Sequence, residues 1–93
     1  MEELKSKLSK YFKLTAEAME KAKIKGTLNA AEKKAAEDLL NLSKCYYDDA
    51  KHFEKKGDIV NAYGAVCYAH AFLDAGARLG YFDVTDNKLF MVD

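Results

Sequence analysis

Proline and tryptophan are missing from this chain of 93 residues, glycine occurs only five times, and Arg78 is the single arginine. Each shortage excludes something. An all-β domain of this length needs frequent turn residues, so their scarcity points to a few long helices. The two cysteines, Cys45 and Cys67, form neither a CxxC nor any other metal-ligand spacing. Two reduced, half-buried core thiols are the expected state. No apolar run approaches the roughly 18–20 residues that cross a bilayer. The opening Met1-Glu2-Glu3-Leu4-Lys5 alternates charge with apolar residues, unlike a secretory leader, so a cytoplasmic location is expected.

What is present fits one globular domain over residues 1–93: 49% hydrophobic and 32% charged residues, with a formal net charge of zero. Three helical stretches stand between punctuation marks. The first spans residues 2–25 and stops at Gly26, a natural left-handed cap, with Leu4, Leu8, Tyr11, Thr15, Ala18 and Ala22 on one face. The second spans residues 30–56. Asn29 and Glu32 form a capping-box pattern at its start, and Ala35, Leu39, Leu42, Tyr46, Ala50 and Phe53 form its apolar stripe. The third spans residues 59–79, with Asp58 as N-cap and Ile59, Ala62, Val66, Ala69, Leu73 and Gly76 facing inward.

The two-residue Gly57-Asp58 connection leaves room only for antiparallel neighbours. The third helix is rich in small residues. Gly64 and Gly76 each cost about 1 kcal/mol against alanine in a helix, which calls for close approach of another helix or of a ligand. Residues 81–93 are too apolar for a solvated tail. They are expected to fold back, with a turn near Thr85-Asp86-Asn87-Lys88, or to bury themselves in a partner. The expected fold is all-α: an antiparallel three-helix bundle with a short C-terminal extended segment.

Tyr46, Ala50, Phe53, the Gly57-Asp58 turn, Ala62, Val66 and Ala69 fall at spacings that resemble a single tetratricopeptide-type repeat, without a second copy about 34 residues away. A broader resemblance runs through Gly57-Asp58-Ile59-Val60-Asn61-Ala62, Tyr68-Ala69, Leu73-Asp74-Ala75-Gly76-Ala77-Arg78-Leu79-Gly80, Phe82-Asp83-Val84 and Leu89-Phe90. These blocks are similar to the archaeal domain of unknown function 357 family. That resemblance implies a small helical bundle of archaeal origin and no particular activity.

The hairpin register, in which positions summing to about 115 lie level, decides which ionisable residues can meet. Cys45 then sits level with His70, a nucleophile–base pairing that lacks a third orienting group. Asp48/His52 and His70/Asp74 are each four apart, but the register separates the two pairs, and a di-metal bundle needs more carboxylates. Asp74, Arg78 and His70 form a polar cluster, with Glu37 or Asp38 as interhelical partners for the lone guanidinium.

Charge is uneven along the chain. Residues 1–26 carry seven Lys against four Glu, whereas residues 58–93 carry two basic against five acidic groups. A +3 helix without arginine falls short of a nucleic-acid footprint.

The function expected from these features is a non-enzymatic protein–protein interaction module. It needs no cofactor, metal or catalytic residue, and its partner is an unknown protein or a second copy in a homodimer. Tyr47, Tyr63, Tyr81 and Phe82 are the candidate surface. The alternatives are an RNA-binding accessory protein using Lys5, Lys7, Lys10, Lys13, Lys21, Lys23 and Lys25, and a small-ligand binder or enzyme centred on Asp74, Arg78 and His70.

Overall fold

The computed structural model describes residues 2–84 and 89–90 and contains three helices: α1 (Glu2–Lys21), α2 (Ala30–Lys55) and α3 (Ile59–Arg78). The turn at Thr85-Asp86-Asn87-Lys88 lies outside the described residues. The helices pack into an all-α three-helix bundle. α3 is its centre, since α2 lies along one side of it, α1 along another, and α1 and α2 touch only slightly. That position explains the composition of α3: a helix approached from two sides is apolar over most of its circumference.

The helix ends follow local chemistry. Asn29 caps α2 by accepting from the Glu32 amide at 2.8 Å, while the Glu32 carboxylate accepts from the Asn29 amide at 3.0 Å. At the other end Gly57 takes φ +79°, its amide donates to the Glu54 carbonyl, and the Asp58 amide donates to Phe53. These two bonds make a Schellman turn. Asp58 then immediately caps α3 by accepting from the Asn61 amide. α3 ends the same way: Gly80 at φ +77°, with its amide bonded to Ala77 and the Tyr81 amide bonded to Gly76.

α1 stops four residues earlier than expected, and Gly26 does not adopt a left-handed conformation. Ile24 instead pairs with Phe82 in a single antiparallel bridge. The Lys25 amide donates to Tyr81 and the Asp83 amide to Lys23. Long-range backbone pairing thus replaces the last helical turn, and the β-branched Ile24 suits the extended form. The described part of the C-terminal segment folds back onto the bundle, where Phe82, Leu89 and Phe90 are buried.

The core has two apolar clusters. One, at the Gly57 turn end, contains Leu8, Phe12, Ala50, Ala62, Ala65 and Val66. The other, at the open end, contains Ala18, Ala22, Ala36, Leu73, Ala77, Phe82, Leu89 and Phe90. Gly76 belongs to the second: a Cβ there would collide with the Phe82 ring, so the glycine makes room for the C-terminal segment and not for a helix. Gly64 has no such neighbour, since a Cβ would meet nothing within 4 Å.

Candidate functional site

Between the two clusters lies a polar waist. Thr15 and Ser43 are both fully buried. The Ser43 hydroxyl donates to the Ala69 carbonyl at 2.8 Å, tying α2 closely to α3. His70 joins three parts of the chain. Its Nε2 lies 2.7 Å from the Leu89 carbonyl, which can only accept, so the proton is on Nε2. Nδ1 in the neutral ring then accepts from the Thr15 hydroxyl at 3.0 Å. α1, α3 and the C-terminal segment meet at this one imidazole.

The predicted polar cluster therefore resolves into parts with different surroundings. His70 Nε2 is 3.7 Å from Asp74 Oδ1 one turn along α3, and Arg78 stands exposed at the helix end. The imidazole is engaged by structural hydrogen bonds on both nitrogens. The Cys45–His70 pairing is not formed: Cys45 is exposed, whereas His70 turns toward α1. Cys45 is thus not a half-buried thiol as expected, while Cys67 is partly buried, and that burial raises its pKa.

Of the candidate surface aromatics, Phe82 requires correction. It is 1% exposed, because Gly76 and the Ile24 bridge draw its ring into the core. Tyr47 is half-buried against Phe12, edge-on at a centroid distance of 5.4 Å. Tyr63 is half-buried against Tyr11 at 5.5 Å, and that burial, together with Tyr11 and Cys67, raises its pKa. Tyr81 packs on the open-end cluster. Tyr47, Tyr63 and Tyr81 thus pack against this chain's own residues while part of each remains accessible.

The exposed aromatic face lies elsewhere, on the side of α2 and α3 that α1 leaves uncovered. Tyr68 is 61% exposed, and its ring centroid is 5.5 Å from that of Tyr46. Tyr46 in turn stacks on Phe72 at 5.5 Å. Beside this wall runs a groove of about 210 Å³ lined by Tyr46, Asp49, Phe53, Asn61, Gly64, Ala65 and Tyr68. Leu42 (41% exposed) and Leu79 (62% exposed) extend the same faces of α2 and α3 by steps of three and four residues. The signal for this face lies in the expected α2 stripe, which contains Leu42 and Tyr46; Phe53 of the same stripe both lines the groove and packs on the turn-end core cluster.

α2 in fact presents two adjacent apolar faces. Ala36, Ser43 and Ala50 are fully buried, and of the expected stripe Ala50 is one of them while Leu39 and Phe53 pack on the core clusters. Leu42 departs from that expectation by lying exposed, and Tyr46 packs on Tyr68 and Phe72.

The family model described as "Protein of unknown function (DUF357)" matches residues 10–82. No curated protein and no solved structure matches the chain. The chain belongs to the DUF357 family.

Proposed function

We propose that this chain is a non-enzymatic helical interaction module, acting in the cytoplasm of an archaeal host, whose docking face is the outer groove between α2 and α3. The observation that carries this reading is the aromatic cluster of exposed Tyr68 with half-buried Tyr46 and Phe72, beside the groove and on the same helices as exposed Leu42 and Leu79. Single exposed apolar residues are normal, but a contiguous aromatic patch beside a groove marks a contact surface. Tyrosine supplies large area at low entropic cost and is enriched in the energetic centres of interfaces. Among the described residues no helix is long and apolar enough to cross a membrane.

The partner is a helix from another protein or from a second copy of this chain. Site-specific photo-crosslinking tests this in the native host. A benzophenone side chain at Tyr68 is expected to capture a discrete protein product, while the same group at Lys13, exposed on α1, captures none. A product at twice the chain mass identifies a homodimer. Equal capture at both positions, or none at Tyr68, overturns the proposal.

A further inference from the structure

The outer groove contains more than apolar surface, and its polar content narrows what docks there. Asp49 lines it together with Tyr46, Tyr68 and Phe53. The residues three and four positions away on α2 are Cys45, Tyr46, His52 and Phe53, so no lysine or arginine stands at ion-pair spacing on the same helix. Across the groove the facing residues are Asn61, Gly64 and Ala65. Among the described residues no lysine or arginine pairs with this carboxylate.

We infer that the groove receives a cationic side chain, the ammonium or guanidinium of a lysine or arginine carried by the docked protein segment, with Asp49 as counter-ion and the Tyr46–Tyr68 wall as π surface. This rests on the interaction-module reading and specifies it.

Three observations support the assignment. First, the volume of about 210 Å³ lies below the roughly 300–1,000 Å³ of small-molecule pockets, so it suits one long side chain and not a cofactor. Second, this chain already uses the same chemistry on another face of α2. There the Lys51 ammonium lies 4.3 Å from the centre of the Phe12 ring and 5.8 Å from that of Tyr47. A cation over an aromatic face is attracted by the ring quadrupole, and an adjacent carboxylate adds a screened ion pair. Third, Gly64 sits mid-helix where a Cβ would touch nothing. No internal contact requires a glycine there, and its bare backbone keeps the groove wall open for a side-chain stem. The aliphatic stem of lysine or arginine would cover that apolar strip while its head reaches Asp49.

The test uses two helical 14-residue peptides, identical except that a central lysine in one is norleucine in the other. Each is titrated into the isotope-labelled full chain and followed by amide chemical shifts. The expected result is a shift pattern centred on Tyr46, Asp49, Asn61, Gly64 and Tyr68, with the lysine peptide binding about three- to tenfold more tightly. That preference disappears in Asp49→Asn and shrinks with added salt. Gly64→Leu, which fills the groove, weakens both peptides.

If both peptides shift the groove equally, the cationic assignment fails and the docking face stands. If the lysine peptide leaves the groove amides unmoved, the assignment is overturned, and crosslinking at Tyr68 judges the docking face independently. Circular dichroism of each variant confirms that the helices are intact.

Discussion

The same substitution at two positions of α3 is expected to act with opposite sign. Alanine is favoured over glycine in a helix interior by about 0.8–1.0 kcal/mol, so propensity alone predicts that Gly64→Ala and Gly76→Ala both stabilise. The surroundings disagree. At Gly64 the added methyl meets nothing within 4 Å, so the propensity gain is kept nearly whole. At Gly76 it would collide with Cε2, Cζ and Cδ2 of Phe82, a ring that is 1% exposed and whose backbone is held by the bridge to Ile24. Overpacking of this kind costs about 1–3 kcal/mol, and Gly76, near the C-terminal end of α3, recovers less than the full propensity term.

If the ring cannot shift, the C-terminal segment detaches and exposes Phe82, Leu89 and Phe90. Each such side chain contributes about 1.5–3 kcal/mol when buried, which sets the upper bound on the loss. The net expectation is a loss of about 1–3 kcal/mol for Gly76→Ala against a gain of up to about 1 kcal/mol for Gly64→Ala. At about 4–8 °C per kcal/mol for a domain of this size, thermal melts at 222 nm separate the two variants by roughly 8 °C or more. A Gly76→Ala variant that melts at or above the wild-type temperature refutes the packing of Phe82 against α3.

The polar waist gives a second expectation. Thr15→Val deprives His70 Nδ1 of its buried donor, so urea unfolding should show a loss of about 1–3 kcal/mol with an unchanged slope. Ser43→Ala removes the buried hydroxyl's bond to the Ala69 carbonyl, which keeps its helical partner, and should cost about 1 kcal/mol by the same measurement. The thiols should react with Ellman's reagent in two phases at pH 8, one equivalent fast for exposed Cys45 and one slow for Cys67, merging in denaturant. Because burial raises the Cys67 pKa in the folded chain, both states hold the proton below the unfolded value of about 8.5. Above it the unfolded state ionises first, so stability falls as pH rises until the folded value is passed. Cys67→Ala should therefore lose less stability than wild type between pH 8 and 10, and an equal loss would contradict this account.

Where the fold was legible, the reason is local. The Gly57-Asp58 turn and the Asn29–Glu32 box are written in adjacent residues and need no tertiary information, and both form as the residue types require. The end of α1 is the opposite case. Nothing between Ala22 and Lys25 breaks a helix, and only the return of Tyr81 and Phe82 from the far end of the chain draws Lys23 and Lys25 into extended pairing. Gly26, the local stop signal, sits beyond the real end because a backbone already paired with the Tyr81–Asp83 segment no longer needs the last helical turn. The two hydrogen-bond partners of His70, 55 and 19 residues away, follow from tertiary packing and from no motif.

The candidate site was obscured by a property of α2 itself. Hydrophobic periodicity places Leu39, Leu42, Tyr46, Ala50 and Phe53 on one stripe without separating those that meet the core from those that do not. Ala50 is fully buried and Leu39 and Phe53 pack on the core clusters, whereas Leu42 is exposed and Tyr46 packs on Tyr68 and Phe72. Ser43, a polar residue with little periodic signal, is fully buried where α2 meets α3. α3 repeats the pattern, with Leu73 and Val66 inside and Tyr68 and Leu79 outside. The two surplus faces adjoin each other on the side that α1 does not cover. Bundle formation accounts for the buried residues, and the docking proposed above would account for the exposed ones.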